Sequence, residues 1–349
     1  EDYYLCTYRS DIILLDRFGN KELLCPASAV PVKADRLLHA MPLAARPVPP
    51  VIPTATWQGE RAGADAPEAT IGVMNVYDGD MPLPPGTKIK SLRVIQIIPQ
   101  LQPVMNKPQI GYGTESLARM PLGVVPVEDD GSVYFKAPVA KDIYFQLLDE
   151  RGLAVRSMRS ATYVHAGESM YCVGCHEPQT ASTNIRRAVP TALRRAPSEL
   201  AAEVPDGARP FNWHRLAKPV LDAKCTSCHA EKHKGPDMTY PSLAKYAFYY
   251  PFQRTSYANG EVVKSGSRTL PGKFGAMASP LMKYLDKSHY DVSLSPAELR
   301  RITLWLDCNA NELGAYTRVE DQRLGRIVWP ELDVDPADPL GIEKTAMGR

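Results

Sequence analysis

The first part of the chain alternates short apolar runs with polar turns, which is the pattern of antiparallel strands. Runs at 2–8, 11–17 and 21–25 are rich in Tyr, Ile and Leu. Three such strands cannot close a core alone, because a sheet needs a hydrophobic face covered by another element. We therefore predict that residues 1–30 are a β-meander, the remnant of a propeller blade.

A proline-rich stretch at 31–68 predicts an extended connector, because proline fixes the backbone and removes a hydrogen-bond donor. After it, β-branched and aromatic runs alternate with Gly and Pro punctuation. These runs lie at 70–77, 88–98, 122–127, 132–136, 142–148 and 153–159. Alternation such as Ile143, Phe145 and Leu147 predicts one buried face per strand. Residues 69–182 are thus predicted to form a β-sandwich-like domain.

The hydrophobic period then changes to that of helices. Asn212 can cap a helix that runs into Cys225, and Ser279 before a proline predicts a second helix through residue 287. Ser295 and Glu298 have the spacing of a capping box, and the helix that they open is expected to end near Gly314. The predicted fold class is α+β. The predicted parts are the meander at 1–30, the connector at 31–68, the β-domain at 69–182, a linker at 183–210, a helical domain at 211–316 and a tail at 317–349.

Composition and charge argue against a nucleic-acid-binding protein and against a protein with a membrane-spanning helix. The chain has 41 basic and 39 acidic residues, a net charge of +2, and no basic stripe. Proteins that bind nucleic acid by neutralising phosphates need a strong positive field, so nucleic acid is not a predicted partner. No run of 18 apolar residues occurs, so no membrane-spanning helix is predicted.

Cysteine spacing carries the candidate chemistry. Four of the seven cysteines lie in two C-x-x-C-H strings, the attachment pattern of c-type haem. Two thiols bond the porphyrin vinyl groups, and the adjacent histidine then reaches the iron. The residues predicted to hold two haems are Cys172, Cys175, His176, Cys225, Cys228 and His229.

Zinc is the alternative interpretation of these cysteines, because two C-x-x-C pairs can form one Cys₄ site. A Cys₄ site, however, gives no role to a histidine directly after both pairs, so we favour two haems. Covalent haem c is attached outside the cytoplasmic membrane, which predicts a periplasmic or extracellular protein. The chain begins within a strand, without a start Met or a basic leader, and we expect it to be a processed piece of a longer precursor.

The second haem has a good candidate for its distal ligand. His289 follows the helix predicted from Pro280, and the carboxylate of Asp291 can orient its imidazole. His214 and His233 are interpreted as core or solvated histidines.

The first haem has only contested candidates. His165 precedes the first motif closely and needs a tight turn to reach the iron, whereas His39 lies in the proline-rich connector. Met158 and Met170 are interpreted as core residues rather than thioether ligands. The first iron is therefore predicted to be open, or completed by His165 or His39.

Several strings together resemble the hydrazine synthase alpha-subunit family. They are Asp16–Leu24, Gly123–Phe135, Met158–Arg159, Cys172–Glu177, Pro219–Asp222, His289–Ser295 and Trp305–Ala310. The resemblance implies an upstream propeller, a middle domain with one haem and a C-terminal domain with a bis-His haem, whose distal ligand is His289. Where the family's catalytic haem is associated with a Tyr four residues after the motif His, this chain has Thr180. The dihaem scaffold is carried over, and hydrazine synthesis is not.

These inferences predict a dihaem cytochrome c that relays electrons to redox proteins, either other cytochromes or identical subunits. The alternative is an enzyme whose open first haem activates a small nitrogen or oxygen compound, as in a hydrazine synthase alpha-like protein. A third interpretation is a structural subunit of a larger cytochrome assembly.

Overall fold

The computed structural model describes ten stretches of the chain. They are 2–30, 37–53, 56–58, 66–100, 106–113, 116–176, 188–205, 207–232, 235–247 and 270–330. Thr180, His233 and most of the predicted tail lie outside the described residues. The chain divides into two compact units, Glu1–Pro53 and Thr54–Arg349. The finer domain boundaries within them stay predictions.

The first unit contains the predicted meander. Strands β1 (Tyr3–Tyr8), β2 (Asp11–Asp16) and β3 (Lys21–Cys25) pair antiparallel in that order. Asp16 shapes the second turn, because its carboxylate accepts the backbone N–H of Asn20 at 2.9 Å. Ile13 is the one buried residue of these three strands. The sheet therefore has almost no core of its own within the described unit.

The β-rich part of the second unit has seven strands. They are β4 (Ala69–Val73), β5 (Ile89–Ile98), β6 (Ala118–Pro126), β7 (Val133–Ala137), β8 (Ile143–Asp149), β9 (Ala154–Ser157) and β10 (Ser169–Cys172). The sheet orders are β10-β4-β7 and β6-β5-β8-β9, and all neighbours are antiparallel except β10 and β4. All six predicted strands are present with shifted ends. Strand β10 was not predicted, because four residues are too few for a periodic pattern.

Both sheets contribute to one apolar cluster. Ile71 and Phe135 come from the three-stranded sheet, and Leu92 and Phe145 come from the four-stranded sheet. The rings of Phe135 and Phe145 meet edge to face at 5.9 Å, the arrangement that aromatic quadrupoles favour. Burying such side chains contributes about 1.5–3 kcal/mol each.

The expectation of one buried face per strand is wrong for β8. The first six of its seven residues are buried. Its second face is covered by the helical part, since Tyr144 lies in one cluster with Trp213 and Trp305. A middle strand with an element on each face loses its polar alternation, and the sequence pattern does not show which strand receives the second layer.

The helical part consists of short segments around one longer helix. They are α1 (Trp213–Leu216), α2 (Lys218–Leu221), a π-turn (Asp222–Thr226), α3 (Ser227–Lys232), α4 (Tyr240–Ala244), α5 (Gly275–Ala278), a 3₁₀ turn (Pro280–Tyr284), α6 (Pro296–Asp307) and α7 (Val319–Arg323). Two further 3₁₀ turns lie elsewhere in the chain, at Ala27–Ala29 in the first unit and at Thr191–Arg194 before α1. Asn212 caps α1 as predicted, because its side chain accepts the N–H of His214 at 2.9 Å. The capping box of Ser295 and Glu298 is also confirmed. Across the described ranges, no helix is long and apolar enough to cross a membrane.

Two predicted helix ends are wrong. The segment that starts at Pro280 is a 3₁₀ turn that ends at Tyr284. Farther on, the carboxylate of Asp286 accepts the N–H of Ser288 at 2.8 Å, and such local bonds compete with helix formation. Helix α6 ends at Asp307 rather than near Gly314, because Asn309 has a left-handed backbone with φ +66°.

A buried ion network joins the four-stranded sheet to the helical part. Arg93 of β5 donates to both carboxylate oxygens of Glu203, at 2.6 and 2.8 Å. It also donates to Asp307 of α6 at 3.0 Å and to Gln146 of β8 at 2.8 Å. The side chains of Arg93 and Asp307 are fully buried, and that of Glu203 is 4% exposed. Because every partner is satisfied, the charges lock sheet and helix in one arrangement.

Candidate haem-attachment sites

The first motif begins where β10 ends. Cys172 pairs in parallel register with Val73 of β4, and its carbonyl accepts the N–H of Met74 at 2.8 Å. The N–H of Asn75 continues this ladder to the carbonyl of Val173 at 3.2 Å. The segment after β4 therefore runs beside the motif and supports its backbone.

Two glycines permit this close approach. A Cβ atom on Gly174 would lie 2.4 Å from the carbonyl oxygen of Asp78, and one on Gly79 would lie 2.4 Å from the carbonyl oxygen of Cys175. Both distances are far below van der Waals contact. The N–H of Cys175 donates to the Asp78 carbonyl at 2.7 Å, and the crossing segments are thus bonded to each other directly.

His176 is held in a left-handed conformation, with φ +61°, and half of its side chain is exposed. Its Nδ1 lies 3.3 Å from a carboxylate oxygen of Asp80, whose side chain is 7% exposed. A carboxylate this close to Nδ1 favours a proton on that nitrogen, and Nε2 is then the nitrogen that can bind a metal. Sequence reasoning missed Asp80, because nothing near it in sequence marks it as the partner of a distant motif.

The second motif lies on helical turns. Cys225 is in the π-turn, and Cys228 and His229 are on α3. Burial raises the pKa of the Cys225 thiol, and neighbouring Cys228 adds to this rise. The thiol is therefore uncharged at neutral pH rather than a reactive thiolate.

The imidazole of His229 is oriented by the backbone that follows its helix. Its Nδ1–H donates to the carbonyl of Pro236 at 2.9 Å. Gly235, with φ +87°, lets the chain pass this close, because a Cβ there would lie 3.0 Å from the His229 ring. The proton on Nδ1 again leaves Nε2 unprotonated and available as a ligand.

His289 faces His229 at the second site. Their ring centres are 6.3 Å apart and their planes are inclined by 42°. Two imidazoles that bind one metal from opposite sides, at about 2 Å per bond, have ring centres about 6 Å apart. The pair thus has the separation that a shared metal ion requires.

The surroundings of His289 differ from those expected. Its ring meets those of Tyr284 and Tyr290 edge to face, at 5.2 and 5.0 Å. No hydrogen bond joins it to Asp291 in the part of the chain that the structure describes. Asp291 has a left-handed backbone with φ +58°, and its N–H donates to the carbonyl of Lys287 at 3.2 Å. The orienting contacts of His289 are therefore aromatic.

The other described histidines have different surroundings. His165 lies before the first residue of β10, and Cys172 is the last residue of that strand. The extended strand between them is roughly 10 Å long. Its Nδ1 lies 3.4 Å from the carboxylate of Glu168. His214 is bonded through Nε2 to Glu312 at 2.9 Å and is largely buried, as expected of a core histidine. His39 is exposed and belongs to the first unit.

The Cys₄ zinc alternative finds no support in the cysteine positions. All four motif cysteines are described, and no group of three or more His, Cys, Asp or Glu in the described stretches is placed to hold a metal ion. Cys308, outside both motifs, is fully buried, and burial raises the pKa of its thiol to about 12. This thiol is therefore uncharged at neutral pH.

Comparison with known proteins agrees with the resemblance found in the sequence. Residues 87–177 match the hydrazine synthase alpha subunit middle domain. The predicted resemblance to hydrazine synthase is therefore confirmed. The matched segment runs from just before β5 through the first motif, so it includes both cysteines and the histidine of that motif.

A chain of Kuenenia stuttgartiensis hydrazine synthase has a similar fold. The TM-score is 0.52 and the sequence identity is 17%, over 71% of this chain and 43% of that chain. At this identity the likeness to that hydrazine synthase concerns the fold alone. The present chain spans less than half the length of that relative. The comparison with curated proteins finds no match.

Proposed function

We propose that this chain is a dihaem c-type cytochrome that relays electrons in the periplasm or outside the cell. Cys172, Cys175 and His176 would hold one haem, and Cys225, Cys228 and His229, together with His289, would hold the other. The bound haems supply one-electron chemistry at iron. The protein's part is to fix the ligands, the burial and the hydrogen bonds that set the potentials.

The observation that carries this proposal is the pairing of His229 with His289. A ring separation of 6.3 Å suits an iron between two imidazoles, and an iron closed by two histidines is suited to electron transfer rather than to substrate binding. The Nδ1–H of His229 donates to a carbonyl, so the remaining nitrogen is the one that a metal needs. In the described structure, none of the four cysteines required for attachment is in a disulfide.

The proposal also assigns a role to each part of the fold. We interpret the meander as a remnant of a propeller blade, the two sheets with a shared core as a β-sandwich-like domain, and the helical part as a cytochrome c domain. The partners would be redox proteins, either other cytochromes or identical subunits. A structural role within a larger multihaem assembly is compatible with the same domains.

The first test is haem stoichiometry and spin state. We expect mass spectrometry of the denatured holoprotein to find two covalently added haems. We also expect electron paramagnetic resonance of the oxidised protein to contain a low-spin bis-His signal. A single added haem, or zinc in place of haem, would contradict the proposal.

A second candidate function is an enzyme that activates a small nitrogen or oxygen compound at the first haem. The specific observation in its favour is His176, which is half exposed, and no second histidine is seen within ring-contact distance of it among the described residues. An iron with one protein ligand accepts small molecules.

Carbon monoxide distinguishes the two candidates. If the first site is open, carbon monoxide added to the reduced protein should bind one haem of the two, seen as a shift of half of the Soret absorbance. Binding at neither haem, together with two bis-His signals, would remove the enzyme hypothesis. Binding at the haem of His229 would show that the two roles are assigned in reverse.

A further inference from the structure

Arg156 of β9 reaches from the four-stranded sheet to the first motif. The residue is only 6% exposed. Its Nη1 donates to the carbonyl of Cys175 at 3.0 Å, and its Nη2 donates to the carbonyl of Met81. Burying a cation costs several kcal/mol unless strong contacts offset the loss of water. The two backbone carbonyls and the negative charge of the nearby Asp80 carboxylate offset this cost, so Arg156 is bonded to the backbone of the first site and electrostatically coupled to its carboxylate.

The two carbonyls belong to the two segments that form the first site. Cys175 directly precedes His176, and Met81 directly follows Asp80. The planar guanidinium therefore donates a hydrogen bond to each segment at the residue next to His176 or Asp80. Arginine presents its donors in a rigid fork, so it fixes the distance between the two carbonyls better than a flexible ammonium does.

The packing of Gly79 explains how the guanidinium fits. A Cβ atom on Gly79 would lie 2.4 Å from Nη1 of Arg156 and 2.4 Å from the Cys175 carbonyl oxygen. The Nε of Arg156 is buried without a hydrogen-bond partner. The Arg156 side chain is thus inserted between the segment of Gly79 and the segment of Cys175, and it restricts the movement of both segments.

We propose that Arg156 is a positioning residue of the first haem site, which keeps Nδ1 of His176 beside the carboxylate of Asp80. This inference rests on the proposed function. The buried positive charge beside the site has a second effect. It favours the reduced state of the bound haem, because reduction adds an electron to the site.

The test compares the variants Arg156→Met and Arg156→Lys with a matched control, Arg119→Met. Arg119 also donates to a backbone carbonyl, that of Cys308 at 2.9 Å, and also has a buried Nε without a partner. For Arg156→Met we expect two attached haems and a redox equilibrium of the first haem shifted about tenfold towards the oxidised form, which is about 59 mV for one electron. We also expect a broader paramagnetic signal from that haem, because the orientation of His176 is less well defined.

The remaining variants separate charge from position. Arg156→Lys keeps the charge, so we expect a smaller shift in potential but similar broadening, and this variant also carries the test if the Met variant fails to fold. Arg119→Met should leave the first haem unchanged. If Arg156 acts through Asp80, the double variant with Asp80→Asn should be no broader than Asp80→Asn alone.

The outcomes distinguish this inference from the proposed function. If the wild-type protein lacks a haem at the first motif, the proposed function itself fails. If that haem is attached but Arg156→Met leaves its potential and signal unchanged, the positioning role is refuted. Broadening by Arg156→Met and Asp80→Asn that simply adds would also refute it.

Discussion

Replacing His289 by alanine should convert the second haem from low-spin to high-spin while both haems remain covalently attached. His289 is not part of a C-x-x-C-H string, so its loss leaves attachment through the thioether bonds intact. Removal of one of two strong-field ligands leaves the iron five-coordinate or bound to water. The loss of the low-spin bis-His paramagnetic signal in the oxidised protein measures the effect.

A matched control for this variant is His214→Ala. His214 is also a histidine of the helical part, but its Nε2 is bonded to Glu312. Its replacement should preserve the low-spin signal and at most lower stability. A low-spin signal that survives in His289→Ala would show that His289 is not the ligand. The same loss in His214→Ala would show that the signal reports general damage to the fold.

Replacing Arg93 by methionine should lower the free energy of unfolding by about 3–5 kcal/mol, because the buried carboxylate of Asp307 loses its cation and that of Glu203 keeps only Arg300, 3.8 Å away. Glu203 and Asp307 each lose a hydrogen-bonded partner in a place that water does not reach. Such a loss is a large share of the stability of an ordinary domain. Urea unfolding followed by far-ultraviolet circular dichroism measures it.

Arg151→Met is the matched control, because Arg151 also pairs with a carboxylate, that of Asp149, but its side chain is 68% exposed. An exposed pair contributes at most about 1 kcal/mol, so the control should stay close to wild type. Equal losses in the two variants would contradict the importance of burial. Replacing Arg93 and Glu203 by apolar residues and Asp307 by asparagine should recover part of the loss, since no buried charge then remains and the asparagine oxygen can still accept a backbone N–H, as Asp307 does from Ala276.

Much of the local structure was predictable because its determinants are close together in sequence. The three strands of the meander, the cap at Asn212 and the capping box at Ser295 each depend on a few neighbouring residues. The errors arose where the next layer of structure decided the outcome. Strand β8 is buried on both faces because helices cover the second face, and the sequence alternation predicts only that at least one face is covered.

The candidate haem-attachment residues could be named from the sequence by itself, because covalent attachment needs two thiols and a histidine within five consecutive residues. Their partners could not. Asp80 reaches His176 only through the crossing of two distant segments, and the acceptor for His229 is a backbone carbonyl, which no residue type reveals. The distance between His229 and His289, the bridge formed by Arg156 and the burial of Arg93 likewise depend on the packing of separate elements. The sequence by itself determined which chemistry the chain can hold, and the tertiary structure decided which groups orient and tune it, because those contacts join residues that only folding brings together.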